Sequence, residues 1–363
     1  MKSMIKICLL LLAATGLFAV PRFAMMEDVS CGSCHAYQGG GGSRTSYGKD
    51  YIRESLVLKD IGYPWDKEDS ESPFSFGFDT RYQMIAESEK DLKHFPMQFA
   101  LYGGAEFGSL ISHLELSRIL NDFRVTGNIR YEGLPFESWI SVGRELPVMG
   151  WRIDDHSVFT RGGNLTTLGL SIEGMPYTPF IEPPTLLEFG SAAVSGLEFS
   201  VMAGTPFISA DEVLDASIFK AVKLGYSYST ALFTARAGLA FLDENGLINA
   251  SVTSWGLASS GLVWLGEISQ MSGWTGPEVS NYASMQQLSY RLFQGLDLVG
   301  RYEFFDPDMD LSNGAIVRTS FGLEFFPLRG LEVKLSYRTS QLDLPDATPN
   351  PQSQILSQIH LYL

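Results

Sequence analysis

The sequence predicts an all-β fold: an outer-membrane antiparallel β-barrel of about 16 to 18 strands, with a short N-terminal segment that plugs its lumen. Three observations support this prediction. The chain starts like an export signal, no later stretch resembles a membrane-spanning helix, and hydrophobicity alternates with period two from residue 74 onward. Alternation of this kind is typical of strands whose two faces meet different surroundings. We expect three parts: residues 1–19, 20–73 and 74–363.

The first nineteen residues are typical of a secretory signal peptide. Lys2 and Lys6 precede an apolar run over residues 7–19, which ends in small side chains. The run is shorter than the ~20 residues that a spanning helix needs. We expect cleavage after Ala19, and the alternative is a buried N-terminal helix. An exported chain without a helical anchor is either a secreted soluble protein or a β-barrel.

Charge narrows the range of partners. The formal net charge is −15, and it becomes −17 when the two lysines leave with the signal. Such acidity argues against nucleic-acid binding, because that depends on Lys and Arg contacts with phosphates. We expect cations or basic partners instead.

The most specific motif is Cys31-Gly32-Ser33-Cys34-His35, the C-x-x-C-H pattern of c-type haem attachment. Each thiol adds to one vinyl group, and His35 then lies under the iron as its proximal ligand. Cys8 leaves with the signal, so these are the two cysteines of the mature chain. The alternatives are a thioredoxin-like pair, which should follow a strand in a βαβ unit, and a simple disulfide. We predict one haem c.

Several residues could supply the second axial ligand of the iron. Residues 36–83 contain neither Met nor His, so Met25, Met26 or a barrel residue must supply it, unless the position is left to water. Strand parity predicts that Met84 and Met97 face lipid. It places three histidines in the lumen: His94, His113 and His360. We favour His94, the closest in sequence, as the distal candidate, with a solvated histidine as the alternative.

Residues 20–73 are too few to enclose a haem alone. They number 54 and include four consecutive glycines at positions 39–42, and small domains bury little surface. We therefore expect the barrel to supply the remaining walls. The alternative is an independent miniature cytochrome in the periplasm.

The strand pattern from residue 74 suits a barrel with a wet interior. Apolar residues alternate with polar or charged ones in residues 74–84, 123–132 and 331–338. A Gly-Leu-acid repeat at residues 196–198, 295–297 and 330–332 predicts tight hairpins. Longer polar stretches at 205–217, 306–315 and 339–352 predict the opposite, extracellular side. Short turns on the periplasmic side place both strand termini there, which requires an even strand number. A periplasmic β-sandwich is the alternative.

Charged residues suggest further sites. The inward arginines are expected to pair with haem propionates or with Glu106, Glu303 and Glu324; they are Arg81, Arg124, Arg130, Arg236, Arg301 and Arg338. Acidic clusters in the predicted loops are candidates for gathering ferrous iron, with ordinary solvated loops as the alternative. These clusters are Asp154, Asp155 and His156; Asp211 and Glu212; Asp243 and Glu244; and Asp306, Asp308 and Asp310.

The order of signal, single haem motif and barrel resembles the fused monohaem cytochrome–porin family. The local match is Pro21-Arg22-Phe23-Ala24 followed by the motif at 31–35. The best-known members are outer-membrane iron oxidases, so the resemblance implies electron transfer across the outer membrane and iron oxidation. The sequence between Phe23 and Cys31 departs from the basic, glutamine-containing run of the family, and the barrel is shorter than in most members.

These features lead to three functional hypotheses. The first is electron transfer between the cell surface and a periplasmic cytochrome or other electron carrier, with extracellular ferrous iron as a candidate donor. The second is a diffusion porin with an accessory or sensory haem. The third is a surface structural protein. One haem is narrower than the ~30 Å apolar core, so it cannot carry electrons across the membrane unaided.

Overall fold

The computed structural model describes residues 21–29, 31–36, 42–62, 72–87, 90–119, 122–151, 158–161, 163, 183–205, 218–273, 276–343 and 351–363. In these residues sixteen strands close into one antiparallel barrel, in which β1 pairs with β2 and with β16. This count agrees with the predicted 16 to 18. The strands are β1 Phe74–Glu87, β2 Lys93–Phe107, β3 Leu110–Ile119, β4 Asp122–Leu134, β5 Ser138–Arg144, β6 Thr185–Val194, β7 Leu197–Gly204, β8 Phe219–Ser229, β9 Thr234–Glu244, β10 Ile248–Ser259, β11 Leu262–Ser272, β12 Ser280–Phe293, β13 Leu296–Asp306, β14 Ile316–Leu328, β15 Leu331–Leu342 and β16 Gln352–Tyr362.

Side chains alternate between an apolar outer surface and a polar interior. In β4, Phe123 and Ile129 are 81% and 54% exposed, whereas Arg124 and Arg130 are buried. A row of exposed apolar side chains around a closed barrel is what the hydrocarbon core of a membrane covers. The predicted alternation is confirmed.

Connection lengths distinguish the two ends of the barrel. At one end, here called the short-turn end, connections of two to four residues join β2 to β3, β4 to β5 and each later even strand to the next. The predicted hairpin glycines lie there, and Gly196 and Gly330 have φ of +75° and +80°, which L side chains avoid. At the other end, two and three residues join β3 to β4 and β9 to β10, and the remaining connections, such as the one between Arg144 of β5 and Thr185 of β6, are longer. Strand β1 begins and β16 ends at the short-turn end.

One loop prediction is wrong in extent. Residues 339–342 belong to β15, because they complete its ladder with β14, where Ile316 pairs with Leu342. Their polar character reflects the barrel end and not a loop. Most of the predicted loop at 205–217 lies outside the described residues.

Short helices precede the barrel in the N-terminal segment, defined here as described residues 21–62. Helix α1 spans Pro21–Glu27, α2 spans Cys31–Cys34, and α3 spans Ser46–Tyr51 and continues into a π-helical turn, Ile52–Leu56. Thr45 caps α3 by accepting a hydrogen bond from Gly48 N at 3.2 Å. None of the described helices is long and apolar enough to cross a membrane.

The N-terminal segment contacts the inner wall at the short-turn end. The inner face of α3 packs Tyr51 and Ile52 against Phe326 of β14 and Tyr362 of β16. Beyond the π-helical turn, Leu58 N donates to Phe326 O at 2.8 Å. The segment thus gains both apolar burial and backbone hydrogen bonds from the wall. The predicted limits of this segment, residues 20 and 73, stay a prediction.

A second segment enters the lumen from the long-loop end. It is called the inward loop here and comprises described residues 145–151, 158–161 and 163, with a 3-10 turn at Phe159–Arg161. Trp151 and Val158 form a buried cluster with Met25 of α1. The two inserted segments therefore meet inside the barrel.

Candidate haem site

The haem motif lies in a tight fold of the N-terminal segment. Helix α2 begins at Cys31, and residues 43–45 run back along its end. Thr45 N donates to Cys34 O at 3.1 Å, and Ala36 N donates to Ser43 O at 3.0 Å. His35 pairs with Arg44 in an isolated β-bridge, and its side chain is buried. This fold fixes the orientation of Cys34 and His35 relative to the barrel.

Both motif residues open onto a cavity inside the barrel. The cavity holds about 1110 Å³ of space between atoms, part of it open to solvent. Its walls come from α1 and α3 on one side and from the barrel interior on the other; the barrel residues include Asp79, Tyr102, Leu265, Arg301, Glu324, Phe326, Glu332, His360 and Tyr362.

Arg22 anchors α1 at this cavity. Its Nε lies 3.3 Å from Asp297 Oδ2, and its Nη2 contacts Glu324 Oε2. Burial by itself lowers the pKa of Arg22. The carboxylates of Glu324 and Asp297 together raise it by a larger amount, so the net pKa is above its ordinary value. The guanidinium therefore stays charged in a buried place.

A second cation faces the cavity from the motif side. The Arg44 guanidinium lies 4.6 Å from the ring centre of Tyr362, and its Nη1 donates to Tyr102 Oη at 3.4 Å. Both contacts place Arg44 among aromatic groups. Guanidinium groups beside a cavity suit the carboxylates of a porphyrin.

The Cys34 thiol lies in a partly buried place beside Arg44. Burial raises the pKa of Cys34 to about 11, although nearby Arg44 acts to lower it. A thioredoxin-like cysteine needs a lowered pKa, because the thiolate is the nucleophile. The donor set, a protonated thiol followed by a buried imidazole in the C-x-x-C-H order, fits a thioether-bound haem with His35 as proximal ligand.

His360 borders the same cavity and faces the lumen, as predicted. Its Nδ1 lies 2.8 Å from Glu332 Oε2, and its Nε2 lies 2.9 Å from Asp79 Oδ2. Arg81 also binds Asp79, at 3.1 Å. Because both ring nitrogens are engaged by carboxylates, His360 is a poor distal ligand in this arrangement.

His113 also faces the lumen, as predicted, but it holds the N-terminal segment. Its Nδ1 lies 2.9 Å from Ser43 Oγ, and the ring covers Gly42. Gly42 has φ of +60° and no room for a Cβ, since the imidazole occupies that position. The contact requires glycine for both reasons.

We predict that Gly42→Ala loosens the N-terminal segment. The substitution adds a left-handed backbone strain of roughly 1–2 kcal/mol and a collision with His113. Amide hydrogen exchange of residues 43–62 should become faster. Gly108→Ala is the matched control, because Gly108 has φ of +59° and no atom lies within 4 Å of the place where a Cβ would stand. Equal exchange in the two variants would contradict the role of the His113 contact.

The predicted orientation of His94 is wrong. A bulge shifts the register between Arg81 and Tyr82, so Arg81 pairs with Gln98 and Tyr82 with Pro96. The extra residue reverses the parity of the preceding part of β2. His94 is exposed and its Nδ1 lies 2.5 Å from the hydroxyl of the outward-facing Tyr82. His94 therefore lies away from the cavity. For the same reason Met97, predicted to face lipid, is buried.

The two upstream methionines lie beside the motif in sequence but pack elsewhere. Met25 is fully buried in the cluster with Trp151 and Leu265, and Met26 packs against that cluster. Met25 thus joins α1 to the inward loop. No distal ligand is identified among the described residues by these contacts.

The inward arginines face the interior as predicted, but most of their partners differ from those expected. All six are buried. Arg130 lies 2.9 Å from Glu132 and Arg301 binds Gln287, while Glu303 pairs with Arg318 and Glu324 with Arg22. Glu106 is exposed at the short-turn end. Of the six, Arg301 lines the cavity.

The acidic clusters were predicted to gather iron. Those at 154–156 and 211–212 lie outside the described residues. In the part of the chain that the structure describes, no group of three or more His, Cys, Asp or Glu is arranged to hold a metal ion. Iron gathering by these loops stays a prediction.

Comparison with known proteins agrees with the barrel. OprB of Pseudomonas putida is similar in fold, with a TM-score of 0.63 and 10% identity over 85% of this chain and 99% of that chain. Salmonella typhi OmpF, in a complex with daunomycin, gives 0.56 and 11% over 81% and 99%. Vibrio cholerae OmpT gives 0.52 and 12% over 80% and 97%.

No protein-family model and no curated protein sequence matches the chain. The haem half of the resemblance to the cytochrome–porins therefore stays a prediction, while its barrel half agrees with the fold. The similarity to OprB, OmpF and OmpT shows the fold. The apolar outer wall is of the kind that lipid surrounds. The chain therefore has the closed sixteen-strand fold of these barrels, with an apolar outer wall of the kind that membrane lipid covers.

Proposed function

We propose that this barrel carries one c-type haem in its lumen and transfers electrons at the outer membrane. The observation that supports this most directly is that Cys34 and His35 open onto a cavity inside the barrel. A haem motif serving a separate periplasmic domain would have no reason to face the barrel interior. Strong packing of α3 on Phe326 and Tyr362 also supports a segment that functions together with the wall.

The residues of the chain have distinct roles in this proposal. Cys31 and Cys34 hold the cofactor covalently, and His35 is its proximal ligand. The bound haem supplies reversible one-electron chemistry. Arg22 keeps α1 on the wall, while Arg44 and Arg301 offer positive charge at the cavity. Aromatic side chains such as Phe23 and Tyr51 exclude water and thereby tune the potential.

Contacts between the two inserted segments narrow the lumen, which supports transfer of electrons over passage of solutes. Met25 and Trp151 belong to one buried cluster, so the N-terminal segment and the inward loop touch across the interior. The Trp151 Nε1 donates to Trp255 O at 2.9 Å and contacts Gly266 O at 3.1 Å, which fixes the loop to the wall. Extracellular ferrous iron as donor and a periplasmic carrier as acceptor complete the proposal.

The test is spectroscopic. The full chain is expressed in a host able to mature c-type cytochromes and purified from outer membranes. We expect haem-stained protein on a denaturing gel and a reduced-minus-oxidised spectrum of one haem per chain. Ferrous iron added to the oxidised protein should produce the reduced bands. Colourless barrels would contradict haem attachment, and haem that no iron salt or soluble cytochrome reduces would contradict electron transfer.

A diffusion porin is the second candidate, and the fold comparisons favour it, because OprB and OmpF share the barrel. It predicts permeation through the lumen despite the inserted segments. Liposomes that contain the full chain should then swell in small sugars at rates comparable to those with an open porin. We expect swelling close to that of empty liposomes, because the Met25 and Trp151 cluster narrows the path.

A further inference from the structure

The N-terminal segment presents an unpartnered helix face at the short-turn end. Tyr47, Asp50 and Glu54 follow helical spacing on the outer side of α3 and its π-helical turn, and all three are exposed. The opposite side holds the buried Gly48, Ile52 and Leu56. The helix is therefore amphipathic, with its apolar side on the wall and an acidic side outward.

Exposed acidic residues are numerous at the short-turn end. The exposed acids of the N-terminal segment and of the neighbouring short turns are Glu27, Asp28, Asp50, Glu54, Asp60, Glu106, Glu132 and Glu137. Among the described residues of the same region, Lys59 is the exposed base, while Arg44, Lys49, Arg53 and Arg329 are half-buried. Arg329 lies 3.4 Å from Asp60. Arg53 lies 3.6 Å from Asp50, whose side chain is exposed, so the pair offsets little of the negative charge. The short-turn end is strongly negative.

The N-terminal segment also exposes apolar side chains. Tyr47, Leu58 and Ile61 are 43%, 51% and 50% exposed. Exposed apolar side chains together with charged ones are typical of a transient protein interface. Helix α3 is also close to the haem motif, because Gly48 packs directly on the backbone of Cys34. One helix, about 10 Å across, separates the exposed face from the motif.

We propose that the outer face of α3, with Tyr47, Asp50, Glu54 and Leu58, docks a soluble electron carrier that has a basic, lysine-rich face. The short-turn end is periplasmic in barrels of this type, so the carrier is a periplasmic redox protein. Opposite charges steer such encounters and raise the association rate. The inference deepens the proposed electron transfer and rests on it, but docking itself is measured without any haem on the barrel.

The test uses mitochondrial-type cytochrome c as a basic soluble probe. The full chain in detergent micelles is immobilised, and binding of the probe is measured at low and at physiological ionic strength. We expect binding at low salt that weakens about tenfold at physiological salt, because the charges are exposed. The same probe with acetylated lysines has lost its positive charge and should not bind.

Paired variants locate the surface. Asp50→Asn with Glu54→Gln should weaken binding roughly three- to tenfold. Glu278→Gln with Asp310→Asn is the matched control: it removes two exposed acids at the long-loop end and should leave binding unchanged. Equal effects of the two pairs, or equal binding of the native and acetylated probe, would overturn the proposal. A haem-free barrel that still binds the probe would end the proposed function and leave the docking face standing.

Discussion

Replacing Cys34 by alanine is expected to abolish stable two-link haem attachment and to remove most of the haem absorbance from the purified barrel. In the proposed site the Cys34 thioether would be one of two covalent links, so its removal would leave the haem attached through Cys31 alone. The barrel itself should still form, because its sixteen strands pair without the motif. Haem staining per chain and the absorbance spectrum measure the loss.

Ser33→Ala is the control within the same motif. Position 33 is variable in C-x-x-C-H, and Ser33 contributes its backbone oxygen to the Thr45 hydroxyl, which alanine retains. We expect a normal haem content. A Cys34→Ala protein that still carries haem through two covalent links, or a Ser33→Ala protein that loses it equally, would refute the assignment of the attachment site.

Removing the Glu267 carboxylate should release the inward loop. Glu267 of β11 is fully buried and accepts from Arg161 Nη1 at 2.9 Å and Nη2 at 3.0 Å, and also from Trp151 N. Breaking a buried ion pair leaves an uncompensated charge and costs about 3–5 kcal/mol. We therefore expect Glu267→Ala to raise single-channel conductance in planar bilayers and to lower the temperature of barrel unfolding in detergent.

Two comparisons make this result specific. Glu198→Ala removes a buried lumen carboxylate that pairs with Lys223 of the wall at 3.1 Å and not with the loop, so conductance should stay near its original value. Glu267→Leu combined with Arg161→Met removes both charges and should recover part of the lost stability. If conductance is the same in Glu267→Ala and in the unaltered chain, the loop is held by other contacts, such as that of Phe159 N with Glu303 Oε1.

The Cys34 and Glu267 variants test the two segments that enter the barrel. The motif variant tests whether the N-terminal segment carries a cofactor, and the loop variant tests whether the lumen is closed to solutes. Trp151 connects them, because its backbone N–H donates to Glu267 on the wall and its side chain packs on Met25 of α1. Under the proposed function, these packed segments would hold the haem within the barrel wall and limit the access of ions to it.

Sequence determined the barrel and the motif because both depend on local patterns. Alternation of Phe123, Arg124 and Val125 is enough to assign one face to lipid and one to the interior, since neighbouring side chains of a strand point to opposite sides. The glycines before Leu197, Leu296 and Leu331 mark hairpins because positive φ favours glycine. The C-x-x-C-H order is likewise a local signature.

Only the tertiary structure decided which residues meet at the cavity. Parity counted from sequence fails at the first irregularity, and the bulge near Tyr82 moved His94 to the outer side. Arg22 and Arg44 were not distinguishable from other surface cations, since their contacts with Glu324 and Tyr362 span about 300 residues of sequence. The alternation of apolar and polar residues determines which side chains of a strand face lipid, because it depends only on neighbouring residues. Partner choice is set by barrel closure, which brings distant strands together.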